Sequence, residues 1–331
     1  MSSKDQILAC LKASRGNWVS GESLSGKIMV SRSAIWKQIC KLRAEGYIIE
    51  SSPNKGYHLQ EIPQLLLPCE IQEDLETGFI GKRKIFYYRE TDSTNARAKE
   101  LAANGMTEGA LIISEEQKQG RGRRGREWFS PYQEGIYASV ILRPKLSPAE
   151  APKLTLLAAV ATAEALMALT TLEVSIKWPN DIFVGNKKIA GILMEIATEM
   201  DVIDYVIAGL GLNVHTLKFP AHLQEKVTSI FLETGEQVSR VRLLREFLKQ
   251  LETYYELSKR SGFGPVFKRW RELTHVIHRR AMVDLIDTQC IGTIQDIDSD
   301  GALILKDDDG NLRRIFSGDL TLLESIGGRH G

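Results

Sequence analysis

The run LTLLAAVATAEALMALTTL at 154–172 is the most apolar stretch of this 331-residue chain. It is long enough to cross a bilayer. Glu164 and several threonines interrupt it, however, and an ionisable group is costly in hydrocarbon. The run therefore predicts a buried helix, which needs a large core around it. The chain is 43% apolar, an ordinary share for a folded protein and enough to build that core. Its length predicts two or three domains.

Elements on either side of the run divide the chain. At the N-terminus, Ile7, Leu8, Cys10 and Leu11 lie near one face of an amphipathic helix. SGESLSGKIMVSRSAIWKQICKLRAEGY follows. Ser20 is placed to cap a helix over 21–29, and Val30 falls in the break. Ser31 is placed to cap a second helix over 32–45, which Gly46 ends. That is helix-turn-helix spacing, at about 21–40. In YIIESSPNKGYHL two short β runs flank a Pro-Asn-Lys-Gly turn, a wing-like hairpin. Residues 1–62 thus read as a winged helix-turn-helix and 63–83 as a linker or short helix opened by Pro68. Residues 84–275 mix strands with helices at 94–104, 149–169 and 240–259. Leu243, Leu244, Phe247, Leu248 and Leu251 mark the stripe of the last helix. The order is not a clean βαβ alternation, so a mixed sheet with helices against one side is expected rather than a dinucleotide-binding fold. Short strands with glycine turns in 276–331 predict a small β-barrel. The fold class is thus a multidomain α+β chain.

Charge is nearly balanced overall, at +1, but unevenly spread. Residues 1–60 hold nine Lys/Arg against four Asp/Glu, whereas 281–331 hold four against ten. A basic front end suits a nucleic-acid partner. Arg32, Ser33, Trp36, Lys37 and Lys41 recur at helical spacing opposite the apolar Ile35, Ile39 and Leu42, which makes operator DNA the expected partner. Ser31 and Lys55 flank that set on the cap and the wing. The cysteines, Cys10, Cys40, Cys69 and Cys290, are scattered without a CxxC pair. They read as reduced thiols of a cytoplasmic protein, not as a disulfide framework or zinc site. MSSKDQIL is no signal peptide, and no membrane association is expected.

Four polar segments interrupt the apolar middle region: TDSTNARAKE (91–100), EEQKQGRGRRGREWFS (115–130), KWPNDIFVGNKKIAGIL (177–193) and AGLGLNVH (208–215). Each follows or interrupts a predicted strand, where ligand loops commonly sit. Ser93, Thr94 and Asn95 offer donors and acceptors to an uncharged polar group, although Ser93 also suits a plain helix cap. Arg121, Arg123, Arg124 and Arg126 fall within six residues, spaced by glycines that give little helix or strand propensity. Such a loop is either solvated or anion-binding. Lys177-Trp178-Pro179-Asn180-Asp181 is either a salt-bridged turn or a site segment.

Together and in this order, GRGRRGR, KWPND, KKIAG and GLGLN resemble the biotin protein ligases. With the helix-turn-helix, the whole chain resembles the bifunctional ligase/repressors of that family. The resemblance implies a catalytic core similar to class II aminoacyl-tRNA synthetases and an SH3-like C-terminal barrel. It implies a reaction in two steps. Biotin carboxylate attacks the α-phosphorus of ATP, giving biotinoyl-5′-AMP and pyrophosphate, and a lysine of a biotin carboxyl carrier domain then attacks the mixed anhydride. Two anions must meet in the first step, which the glycine-spaced cations offset. The resemblance assigns Ser93, Thr94, Asn95 and Gln117 to biotin's ureido end. It assigns Arg121, Gly122 and Arg123 to the carboxylate and phosphate, and Lys188 to the meeting point of the two. Arg124, Lys177, Asn180, Asp181 and Asn213 belong to the ATP and adenylate side. Arg123, Lys188 and Asp181 are the implied catalytic set. Mg²⁺ arrives with ATP, and Asp181 is the residue that would orient it. The segment VHTLKFPAHLQEKVTSI is expected over the adenine, with Phe219 its sole aromatic. The resemblance also implies a homodimer formed on adenylate binding, with the adenylate as corepressor of biotin genes. Two other readings stand beside it: a ligand-sensing transcription factor without transfer activity, and a lipoate or octanoate ligase. The polar set at 93–95 and Gln117 favours a ureido group over a hydrocarbon tail.

Overall fold

A computed structural model describes residues 2–14, 16–199, 202–285 and 287–323. The chain divides into two compact units, Met1–Leu65 and Leu66–Gly331.

The first unit holds α1 (Ser3–Ala13), α2 (Gly21–Ile28), α3 (Arg32–Ala44), β1 (Ile48–Ser52) and β2 (Gly56–Glu61). Each helix begins on a serine, Ser2, Ser20 or Ser31, whose side chain accepts an otherwise unpaired N–H of the first turn. Met29 takes the left-handed conformation at the end of α2, φ 56°, and turns the chain through Val30 into α3. Ile7, Leu8, Leu11, Leu24, Ile35, Ile39 and Leu42 are buried and hold the three helices together. β1 and β2 pair as the antiparallel wing. At its root Val19 pairs with Tyr57, and Gly56 has φ +97°. A Cβ on Gly56 would overlap the Val19 carbonyl, so this turn requires glycine for shape as well as for φ.

The second unit runs α4 (Pro68–Gln72), β3 (Ile85–Tyr88), α5 (Thr94–Ala103), β4 (Leu111–Ser114), β5 (Gly135–Leu142), α6 (Ala151–Leu169), β6 (Val174–Lys177), β7 (Asp181–Val184), β8 (Lys187–Glu199), β9 (Val202–Asn213), α7 (Ile230–Thr234), α8 (Arg240–Ser261) and α9 (Gly264–Leu273). Then come β10 (Arg280–Asp284), β11 (Gln289–Ile297), β12 (Leu303–Lys306), β13 (Leu312–Ile315) and β14 (Asp319–Leu322). Seven strands form a mixed sheet in the order β3-β4-β5-β9-β8-β7-β6, parallel only between β3 and β4. The apolar run is α6, buried as expected against α8, α9 and the sheet. The last five strands make a small antiparallel sheet, β13-β12-β11-β10-β14.

Strand period places alternate residues on opposite faces. Leu111, Ile113, Val140, Leu142 and Val206 join the core under α6 and α8, whereas Ile112, Ile141 and Ile207 meet Ala98 and Ala102 of α5. Helices therefore cover both faces, not one; the short alanine-rich α5 gives too weak an apolar signal to reveal this. Leu66, Ile71, Leu75 and Ile80, in the stretch expected as a linker, lie in the main core.

Glu115 and Arg240 form a buried ion pair, Nη1 to Oε2 2.8 Å, with side chains 0% and 2% exposed. Glu115 also accepts from the Leu66 N–H at 2.6 Å, and Arg240 donates to the Gly135 carbonyl at 3.0 Å. The pair ties the start of the unit, the end of β4 and the start of α8 together. We expect Glu115→Ala to cost about 3–5 kcal/mol, because it deprives a buried guanidinium of its carboxylate. Urea unfolding measures this; a loss below about 1 kcal/mol would count against the pair's role.

Candidate functional site

The polar segments converge on one cavity of about 640 Å³ in the second unit. Its floor is β8 and β9. Gly191, Gly209 and Gly211 point into it, while Leu210 and Leu212, the alternate residues of GLGLN, are core residues. Gly211 lies opposite Gly191, and Gly209 opposite Leu193. A Cβ on Gly211 would come within 2.5 Å of the Trp128 ring, and one on Gly209 would overlap Asn95 Oδ1. The motif is thus a strand with one face packed and the other stripped of side chains, so that flat groups can lie on the backbone.

One end of the cavity is neutral and polar. Ser93, Thr94 and Asn95 open α5 and are buried. Ser93 is the N-cap residue, yet its side chain makes no cap hydrogen bond. Gln117 Oε1 accepts from both the Thr94 N–H (2.8 Å) and hydroxyl (3.1 Å), and Gln117 Nε2 donates to Ser130 Oγ at 2.9 Å. Asn95 Nδ2 donates to Glu195 Oε2 (2.8 Å) and the Leu193 carbonyl (3.3 Å). Counting donors and acceptors, this end retains one N–H of Gln117, the Ser93 hydroxyl and lone pairs on Thr94 and Asn95. It can donate to a carbonyl and accept from N–H groups.

The other end is cationic. Arg121, Gly122, Arg123, Lys177, Asn180, Asp181, Lys188 and Asn213 all line the cavity. Arg124 does not. It adopts φ +54° and turns to the small sheet, donating to Asp319 Oδ2 (3.3 Å) and the Asp284 carbonyl (2.9 Å). Arg126 donates to the same Asp319 oxygen at 2.6 Å. Arg123 donates to Asn180 Oδ1 (3.0 Å), Ser317 Oγ (2.8 Å) and the Gly318 carbonyl (3.2 Å). Every one of those acceptors is neutral, so contact does not cancel its charge. Burial pulls the Arg123 guanidinium below its ordinary value, opposed by Asp319 and Asp181. Burial lowers Lys177 as well, with Asp181 opposing and Lys188 reinforcing. A site that penalises its own cations is one that an anion stabilises. Lys188 Nζ lies 2.7 Å from Asp181 Oδ1 and 5.1 Å from the centre of the Trp128 ring.

Asn213 donates to the Thr228 carbonyl at 2.9 Å, and Lys188 exchanges backbone hydrogen bonds with Lys226 and Thr228. These bonds fix residues 226–228 beside the floor. Phe219 lies in the cavity edge-on to Phe129, their centres 6.1 Å apart. Sequence reasoning missed Trp128, Phe129 and Asp319. The first two stand in the quoted loop; Asp319 is remote in sequence and had no local signal. Among the described residues, no three His, Cys, Asp or Glu side chains gather as a metal site.

In the first unit Ser31, Arg32, Ser33, Trp36, Lys37 and Lys41 are all exposed on α3, and Lys55 is exposed on the wing turn. Trp36 is 57% exposed, unusual for an indole without a partner surface. Lys55 Nζ stands 5.7 Å over the Trp18 ring.

Three family models match: an HTH domain at residues 4–58, the Biotin/lipoate A/B protein ligase family at 87–213, and the Biotin protein ligase C terminal domain at 283–322. The bifunctional ligase/repressor BirA of Bacillus subtilis (strain 168) is 36% identical over 321 residues, 96% of this chain and 98% of that one. The protein of the same description from Escherichia coli (strain K12) is 32% identical over 93% of this chain and 94% of that one. Among solved structures, biotin protein ligase from Aquifex aeolicus in complex with biotin and ATP superposes with a TM-score of 0.64 at 26% identity, covering 73% of this chain and all of that one. By these matches along nearly its whole length, the chain belongs to the family of bifunctional biotin ligase/repressors.

Proposed function

We propose how the residues divide the work of a biotin–[acetyl-CoA-carboxylase] ligase that is also a DNA-binding repressor. The observation that carries the division is the cavity's polarity, neutral at Ser93–Gln117 and cationic at Arg123–Lys188. A ureido ring presents one carbonyl and two N–H groups, which the unused Gln117, Ser93, Thr94 and Asn95 valences complement. A lipoyl ring presents none of these, so the geometry favours biotin.

The biotin carboxylate then reaches Lys188 and Arg123, where the α-phosphate of ATP is also drawn. The oxygen attacks phosphorus and pyrophosphate leaves. Arg121, Arg123, Lys177 and Lys188 offset the charge of both reactants and of the transition state. Asp181 holds Lys188 in place until an anion competes for it. Mg²⁺ bound to the ATP phosphates would offset their charge, and Asp181 is the residue that would hold it. Trp128 and Phe219 offer flat apolar surface to the adenine, and Asn213 holds the covering segment. In the second step the acceptor lysine amine attacks the activated carbonyl and AMP departs. Arg124 acts as an anchor of the loop and not as a phosphate ligand, a revision of the role the resemblance implies for it, whereas Arg126 shares Asp319 and also borders the cavity.

The first unit binds operator DNA through α3 and the wing. A lone winged helix makes few phosphate contacts, and two copies on successive half-sites multiply the effective concentration. Adenylate that orders the arginine loop and the 214–230 segment lowers the entropy cost of pairing, so ligand favours a homodimer and the dimer retains ligand. Repression then follows when the carrier acceptor is exhausted and adenylate accumulates. These steps fit the cytoplasm, where carrier, ATP and DNA meet. Sedimentation with and without biotin plus ATP tests the coupling; identical profiles would defeat it.

We expect Lys188→Ala to slow pyrophosphate release by about 10²-fold while leaving the melting temperature near wild type. Release at the wild-type rate would remove Lys188 from the chemistry. Asp319→Asn releases two anchors of the loop, so preformed adenylate is expected to dissociate several times faster, read by filter binding; an unchanged off-rate would show that the anchors do not hold the lid. Deletion of residues 1–65 is expected to preserve biotin transfer and abolish operator gel shifts, since every residue of the cavity lies beyond them. A shift by the truncated protein would contradict the assignment of α3.

A further inference from the structure

We infer that Ser139 is a positioning residue, whose single hydroxyl proton fixes which atoms of Thr94 and Asn95 face the ligand and so selects a cyclic urea over its donor-rich analogues. The inference rests on the biotin reading above and deepens it.

Ser139 stands in the middle of β5, a strand buried along its whole length. It is itself 0% exposed, so it meets the ligand only through others. Across the sheet it pairs with Gly209, whose missing side chain makes room for Asn95. Ser139 Oγ lies 2.8 Å from Thr94 Oγ1 and 2.6 Å from Asn95 Oδ1. A buried hydroxyl in an apolar strand is costly unless bonded, and here it is the junction of two polar chains. One chain runs from Thr94 through Gln117 to Ser130, which donates to the Trp128 carbonyl at 3.0 Å in the arginine loop. The other runs from Asn95 to Glu195 on β8.

Valence decides what the junction does. The Thr94 proton goes to Gln117, and both Asn95 N–H groups go to Glu195 and Leu193. Thr94 Oγ1 and Asn95 Oδ1 therefore face Ser139 as acceptors, with one proton between them. That proton reinforces the amide orientation set by Glu195 and Leu193, with Asn95 Oδ1 toward Ser139. It also limits the lone pairs left over to those that ligand N–H groups can use. Without it Thr94 Oγ1 and Asn95 Oδ1 lose their buried donor and turn unused lone pairs on the ligand, and the pocket then favours a ligand richer in donors.

The test compares full-length wild type, Ser139→Ala and Ser139→Cys, which keeps a weak donor. The ligands are biotin and 2-iminobiotin, in which a nitrogen donor replaces the carbonyl oxygen. Binding is measured by calorimetry without ATP, alongside KM for biotin, KM for ATP and kcat. Ser139→Ala is expected to weaken biotin by about tenfold while 2-iminobiotin changes less than about twofold, with Ser139→Cys between. KM for biotin should rise while KM for ATP holds and kcat at saturating biotin falls less than about threefold. Equal weakening of both ligands, a parallel loss of ATP affinity, or unchanged biotin binding in the alanine variant would each overturn the role of Ser139 alone. Wild type failing to bind biotin would overturn the reading beneath it and this inference with it.

Discussion

Four arginines within six residues repel one another, and the working of the second unit depends on how the fold divides them. Asp319 takes Arg124 and Arg126 at the foot of the small sheet. Arg123 is left with neutral partners, and Arg121 stays at the cavity. Charge is thereby neutralised where the loop must be held and retained where an anion must be met. The division needs a residue with φ +54° at Arg124, which sends neighbouring side chains in different directions. It also ties the small C-terminal sheet to the site, since Ser317 and Gly318, just before β14, accept from Arg123, and Asp319 and Thr321 of β14 line the cavity.

The floor solves a second problem, that of seating flat ligands against a strand. A pleated strand normally projects side chains on both faces. β9 alternates leucine with glycine, so its core face stays fully packed while its ligand face is bare backbone. Asn95 and Trp128 then lie against that face at distances no Cβ would permit. The neutral and cationic ends share this floor, so one surface serves both.

Local signals read well in this chain, and long-range ones did not. Ser20 and Ser31 identify their helices because capping is a property of a few adjacent residues. The stripe of α8 and the apolar run of α6 are read from period and composition alone. The order of the four polar segments locates the cavity, and twelve of its lining residues are legible in them. Arg124 was assigned with them because spacing does not reveal a left-handed residue. Asp319 and Ser139 were out of reach for a different reason. Each acts across a separation of more than forty residues, and each sits in a stretch whose local pattern is that of an ordinary strand. The expected single helical face omits the second one, covered by α5, because alanines pack closely without raising the apolar count.

The buried polar chain sets the terms on which the site tolerates change. Glu195, Asn95, Ser139, Thr94, Gln117 and Ser130 are joined donor to acceptor from β8 to the arginine loop. In such a network the loss of one member leaves its neighbours unsatisfied, so effects are expected to be non-additive. The same connectivity links the proposed ring site to the base of the arginine loop. Ser130 accepts from Gln117, the residue proposed to meet the ring, and donates to the backbone that carries Trp128. A ligand that completes the valences of Gln117 and Thr94 removes alternatives from the loop's base. If Gln117 meets the ring as proposed, then by reciprocal linkage the Asp319 anchors that steady the loop also tighten the hold on the ring without touching it.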